Sequence, residues 1–160
     1  MEWKTGDEVF AIDPKMVVHI DFETTKQTIV VDRAEGSRNR FEMTVTTRAT
    51  GKQEHCKANA LMRDLLPSLS SIRVQRTFAP TDAEALWARQ GPSSALLRIR
   101  DRLDAEPKAF QILLTDGSGS STDASIVFRE QSHLFVPSVR ADLIKQLRAG
   151  CANATSVQRP

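Results

Sequence analysis

Long hydrophobic runs are missing from this 160-residue sequence, and none approaches the roughly 18 apolar residues that a membrane-spanning helix requires. The first residues also lack the pattern of a secretory signal peptide. There is no phosphate-binding GxxxxGK(S/T) loop, and the stretch 117–119 (Gly-Ser-Gly) does not match the GxSxG of a nucleophile elbow. The sequence therefore carries no motif for catalysis, and we expect a non-enzymatic protein without a cofactor.

Cysteine is scarce, and the two that are present, Cys56 and Cys151, form no CxxC pair. The histidines His19, His55 and His133 are widely separated and show no metal-ligand spacing, so we expect no metal site. Isolated cysteines of this kind favour reduced, buried thiols in a cytosolic protein. The alternative is a single Cys56–Cys151 disulfide in a periplasmic or secreted domain.

The net charge of +2 is unevenly distributed along the chain. Residues 1–32 hold three bases against seven acids (net −4), residues 33–102 hold thirteen against seven (net +6), and the remainder is balanced. A basic middle is suited to anionic lipid, to nucleic acid or to an acidic protein. The alternative is that these basic residues lie on solvent-exposed faces of the fold and bind no partner. We favour membrane lipid or a protein partner over nucleic acid.

Alternating apolar residues and Gly-containing turns predict an α+β fold based on an antiparallel, partly rolled sheet. The first predicted unit, 1–66, is a β-meander closed by a helix over 58–66 that Pro67 stops. The third, 108–150, is a β-hairpin and an amphipathic helix that begins at Pro137 and ends before Gly150. The predicted core positions of that helix are Val139, Leu143, Ile144 and Leu147.

Between these units, residues 67–107 are predicted to form a linker, one short strand over 72–78 and two packed helices. Thr81 and Glu84 have the spacing of a capping box at the start of the first helix. The second would be capped by Ser93 or Ser94, with Leu96, Ile99 and Leu103 on one stripe. A single domain over 1–150 is an open alternative to three segments, and residues 151–160 are expected to be a tail.

Several short stretches resemble the pleckstrin-homology-like (PH-like) N-terminal region of endosomal J-domain proteins of the receptor-mediated-endocytosis type. They are residues 3–4 (Trp-Lys), 9–12 (VFAI), 17–21 (VVHID), the strand and turn over 41–52, and residues 133–140 before the last helix. The resemblance implies a PH-like module for membrane trafficking that binds phosphoinositide and lies at the cytoplasmic surface of endosomes. Asp7 and Glu8 stand where that family has bases, and they would repel an inositol phosphate.

The candidate lipid-binding residues are Trp3, Lys4, Arg38 and Arg40. A tryptophan ring can lie among lipid headgroups while neighbouring cations contact phosphate. The alternative for Trp3 is that its ring covers one end of the core. A different class of function also fits the chain, namely an extracytoplasmic protein-interaction domain, for instance of a bacterial secretion apparatus.

Overall fold

The computed structural model describes residues 3–102, 106–114 and 126–152, and over these residues it confirms the α+β class. Ten strands form one antiparallel sheet in the order β1-β6-β10-β9-β8-β7-β2-β3-β4-β5. The sheet is not closed, because β1 and β5 are its two edges. The strands are β1 Glu8–Ala11, β2 His19–Glu23, β3 Gln27–Arg33, β4 Phe41–Thr47, β5 Gln53–Lys57, β6 Ser71–Thr77, β7 Ala95–Arg100, β8 Lys108–Leu114, β9 Ile126–Glu130 and β10 His133–Pro137.

The helices within the described residues are α1 Asn59–Leu69, α2 Pro80–Gln90 and α3 Ala141–Ala149, with short 3-10 turns at Pro14–Met16 and Gly91–Ser93. Two four-stranded meanders, β2 to β5 and β7 to β10, are joined where β2 pairs with β7 and Ile20 lies opposite Ile99. The first meander leads into α1 and the second into α3. Strands from all three predicted segments therefore belong to one sheet.

The main core lies between the sheet and the pair of helices α1 and α3, which contact each other. Alternate residues of the central strands point into it, including Phe22, Leu97 and Phe128, each with no measurable exposure. Leu143, Ile144 and Leu147 of α3 and the preceding Val139 are buried there as predicted. A smaller cluster on the opposite face joins α2 to β8, β9 and β10 through Leu86, Leu113, Val127 and Leu134.

The predicted second helix after Ser93 is wrong, because residues 95–100 form the strand β7. Its residues alternate between buried and half-buried, with Ala95, Leu97 and Ile99 on the core side. β7 pairs with β2 on one side and β8 on the other, so its backbone is hydrogen-bonded as a central strand. Leu103, which completed the predicted helical stripe, lies outside the described residues.

Three predicted helix boundaries also differ from the structure. α1 continues through Pro67 to Leu69. α2 begins at Pro80, and its N-cap residue Ala79 makes no side-chain hydrogen bond, so the predicted capping box does not form. Proline is favoured at a first helical position because the missing N–H would have no helical acceptor there. Pro137 is the last residue of β10 rather than the first of a helix.

Gly150 ends α3 at the predicted position, with φ +63. A Cβ built at this position would lie 2.9 Å from Cγ2 of Val45 on β4. Both the backbone conformation and this close approach therefore require glycine. Residues 115–125, within the predicted hairpin, lie outside the described residues. Of the predicted tail over 151–160, residues 151 and 152 are helical and Cys151 is buried, and the residues beyond 152 are not described.

Candidate functional site

The four residues predicted to bind lipid lie on different elements of the fold. The Trp3 ring packs against Phe135 and His133 of β10, with centroids 4.9 and 5.5 Å apart. It is only partly exposed and contacts the main core, so its ring covers one end of that core. Lys4 is exposed, and its backbone N–H donates to the Asp7 carboxylate at 2.9 Å. Trp3 is thus held by the protein itself.

Arg38 and Arg40 lie in the exposed loop between β3 and β4, and Arg38 lines a groove of about 730 Å³. The walls of this basic groove are the 3-10 turn at Pro14–Met16, the β3–β4 loop and one side of α1. Arg40 is not among the groove residues. The four cations of the basic groove are Lys15, Arg33, Arg38 and Arg63, and none of the described residues that line it is acidic.

Arg33 holds two walls of the basic groove together. Its guanidinium donates to the backbone carbonyls of Val17 and Pro14, at 2.9 Å each, and to the carbonyl of Arg38. It also lies over the Phe41 ring, 4.7 Å from the centroid. Burial lowers the pKa of Arg33, because desolvation disfavours the charged form. This half-buried cation is therefore compensated by carbonyl dipoles and a ring face.

A second polar cluster crosses the sheet on the face opposite α1 and α3. His19 on β2 contacts Oδ1 of Asp32 through Nδ1 at 2.6 Å and Oδ2 of Asp21 through Nε2 at 3.4 Å. Arg98 on β7 donates to Asp21 at 2.9 Å and lies 3.7 Å from Glu23. The register places His19 opposite Asp32, and Asp21 opposite Arg98, in adjacent strands. We call these residues the charge ladder.

The charge ladder changes the proton affinities of its two best-buried members. The hydrogen bond with Asp21, assisted by Asp32, raises the pKa of His19 against the opposing effect of burial. Burial alone would raise the pKa of Asp21, but hydrogen bonds from His19 and Arg98 hold it below its ordinary value. The side chains of His19 and Asp21 are 17% and 11% exposed, so water screens this pair only partly.

The raised pKa of His19 predicts a pH-dependent stability. Protonated His19 stabilises the fold fully below 6.5, its ordinary pKa, and this contribution is lost as the pH rises through the higher pKa of the folded state. We expect His19→Gln to lower the urea midpoint at about pH 5.5 and to change it much less at about pH 8.5. Urea unfolding of both proteins across this range measures the effect. An equal loss at both pH values would contradict it.

Cys56 and Cys151 form a disulfide, so the expectation of reduced thiols is wrong and the alternative pairing is the one present. Cys56 lies on the edge strand β5, and Cys151 follows Gly150 at the end of α3. Their Cα atoms are 5.8 Å apart, and the two residues are 8% and 2% exposed. The bond therefore fixes the edge of the first meander to the helix that follows the second.

The three histidines, which are widely separated in the sequence, also lie at separate places in the structure. His19 belongs to the charge ladder, and His133 packs against Trp3. His55 contacts Oγ1 of Thr44 at 3.1 Å. Over the described ranges, no three His, Cys, Asp or Glu residues are grouped so that they could hold a metal ion. Two of the three histidines are therefore half-buried parts of the fold.

No helix within the described residues is both long and apolar enough to cross a membrane. Comparison of the chain with protein-family models, with curated proteins and with solved structures finds no match. The basic groove, the charge ladder and the disulfide are therefore the features from which a function can be argued.

Proposed function

We propose that this chain is a non-enzymatic protein-interaction domain that works in an oxidising, extracytoplasmic compartment. The buried Cys56–Cys151 disulfide is the observation that carries the proposal. Disulfides persist in secreted and periplasmic proteins, whereas cytosolic reductants keep thiols reduced. The charge ladder and the disulfide both stabilise a rigid sheet, and a rigid scaffold is suited to presenting a fixed surface to a partner.

The redox state of the two cysteines in the cells that make the protein tests the compartment. Lysates are quenched with acid, denatured, and treated with a maleimide polymer that adds mass to each free thiol. We expect no mass shift before reduction and a shift of two polymers after it, because both cysteines are paired. A shift at both cysteines without prior reduction would place the chain in a reducing compartment and overturn the proposal.

The second candidate is a PH-like module that docks on an anionic endosomal membrane, and the position of Arg38 in the basic groove favours it. Each base near an anionic surface contributes about 1 kcal/mol, so Lys4, Arg38 and Arg40 together contribute about 3 kcal/mol. Asp7 and Glu8 are exposed near Lys4 and would reduce this attraction. Such binding is weak, and recruitment would need several attachment points.

Vesicle co-sedimentation distinguishes this second candidate from the first. We expect weak binding to vesicles with phosphoinositide at low salt and much less at physiological salt, where the Debye length is about 8 Å. Arg38→Ala with Arg40→Ala should remove this binding. Trp3→Ala tests anchoring by the ring, which the packing on Phe135 opposes. Absence of any binding at low salt would leave protein docking as the function.

A further inference from the structure

We propose that the basic groove is a binding site for a small molecule or headgroup that carries several phosphate groups. The groove is lined by Lys15, Arg33, Arg38 and Arg63. The proposal does not depend on the compartment in which the chain works, because none of these residues belongs to the disulfide. It shares Arg38 with the membrane-docking candidate, and it is tested separately through Lys15 and Arg63, which that candidate does not use.

The four cations of the basic groove have no carboxylate partner among the residues that the structure describes. Elsewhere in the described chain, Arg48, Arg98 and Lys108 each pair with a carboxylate. None of the four groove cations forms an ion pair with a described residue. The nearby Asp13 accepts a hydrogen bond from the backbone N–H of Lys15, at 3.0 Å. A cluster of cations without acids raises the local concentration of anions.

Arg33 is a half-buried groove cation that forms no ion pair with a carboxylate of the described residues. Three of its five N–H groups are taken by the carbonyls of Val17, Pro14 and Arg38. Burial lowers its pKa, because desolvation disfavours the charged form. A bound anion would add a formal negative charge to the carbonyl dipoles and the Phe41 ring that already contact this guanidinium. Its remaining N–H groups are available as donors to a phosphate oxygen.

The walls of the basic groove are fixed before a ligand arrives. Arg33 joins the 3-10 turn to the β3–β4 loop, and Oδ1 of Asn59 accepts a hydrogen bond from the Phe41 N–H at 2.7 Å. This second bond holds the start of α1 against β4. Preorganised walls reduce the entropy that binding would otherwise cost. The exposed Lys15, Arg38 and Arg63 can then approach phosphate groups from three separate elements.

Multiple phosphate groups fit this geometry better than one. A groove of about 730 Å³ falls within the usual size range of small-molecule sites, about 300–1,000 Å³. Its four cations come from the 3-10 turn, the end of β3, the following loop and α1, and their combined charge can balance that of more than one phosphate group. Asn39 and Asn59 add amide groups, and Phe41, Met62 and Leu66 supply an apolar floor. In a ligand with several phosphates on a ring, the ring can contact these apolar residues while the phosphates contact the groove cations.

Isothermal titration calorimetry with inositol hexakisphosphate tests the site on the intact, oxidised chain. We expect one site per chain, with affinity that falls as salt is raised. The double variant Lys15→Glu with Arg63→Glu should weaken binding at least about tenfold, because it reverses the charge of two of the four groove cations. Arg38→Ala should weaken it less. Arg33 is left unchanged, because it holds the fold through three carbonyls.

The matched control is Arg89→Glu with Lys145→Glu, which makes the same change in net charge at exposed positions on α2 and α3, outside the groove. We expect this control to weaken binding less than about threefold, since its charges act only at long range. Lys15→Gln with Arg63→Gln provides a milder groove variant if charge reversal disturbs folding. The thermal unfolding midpoint of each variant, measured without ligand, establishes that it is folded.

A second arm replaces the soluble probe with vesicles of phosphatidylcholine containing phosphatidylinositol bisphosphate. Loss of binding to both probes in the groove variant supports the site. Tighter binding of the wild type to vesicles would indicate a lipid headgroup, and tighter binding to the soluble probe would indicate a free phosphate ester. Failure to bind either probe at low salt would overturn the proposal. So would equal weakening by the groove and control variants, because the attraction would then come from net charge alone.

Discussion

Removing the disulfide with Cys56→Ala and Cys151→Ala is expected to lower the free energy of unfolding by about 4–5 kcal/mol. The bond joins residues 95 positions apart, and in the chain-entropy model the stabilisation grows with the length of the closed loop. A loss of this size is a large part of the total stability of a domain, which is about 5–15 kcal/mol. Urea unfolding under non-reducing conditions measures it.

Reducing agent provides the control for this effect. It should bring the wild-type midpoint towards that of the double variant while leaving the variant unchanged, since the variant has no disulfide to reduce. Equal midpoints for the wild type and the variant without reductant would show that the bond adds no stability. The edge strand β5 should become the least protected strand of the variant in hydrogen exchange, because its covalent attachment to the α3 end is gone.

Truncating the buried leucines of α3 is expected to lower the free energy of unfolding nearly as much as removing the disulfide does. Leu147 has no measurable exposure and Leu143 is 2% exposed, and both belong to the main core. Either one changed to alanine removes apolar contacts and leaves a cavity, at a cost of about 2–5 kcal/mol. Urea unfolding midpoints measure the loss. The slope of the transition should be the same as in the wild type, which checks that unfolding remains two-state.

Lys145→Ala on the exposed side of the same helix is the matched control. It should change stability by no more than about 0.5 kcal/mol, because it removes no buried contact. If both leucine variants unfolded at the wild-type urea concentration, α3 would not be docked on the sheet in solution. A loss confined to Leu147 would place the main anchoring contact at the end of α3 nearer the disulfide.

Some strands could be predicted from sequence because their apolar residues alternate with period two. In β4, for example, Phe41, Met43 and Val45 are buried while the intervening residues are not. β7 shows the same alternation in the structure, yet its outward side carries Arg98 and Arg100 in a basic stretch that also fits a helical stripe. The acids that accommodate Arg98 are Asp21 and Glu23 on β2, far away in sequence. Single-sequence periodicity carries no information about such partners.

The candidate sites were less predictable than the sheet. Arg38 was identified from its position in a basic loop, but Lys15, Arg33 and Arg63 come from three other segments and meet only in the fold. The charge ladder depends on the pairing of β2 with β3 and β7, which fixes which charges face one another. Two cysteines allow only one pairing, so the open question was whether Cys56 and Cys151 are bonded at all. The sequence does not show that the end of α3 reaches β5, which is what brings them together.

The junction between β2 and β7 has a consequence for the order of folding. Within each meander, neighbouring strands are joined by short connections or lie close in sequence, so their pairing closes small loops quickly. The contact between Arg98 and Asp21 instead joins residues 77 positions apart. Long-range pairing of this kind forms slowly because the chain entropy must be lost first. We therefore expect the pairing of β2 with β7 to form late in folding and to join two meanders that form earlier.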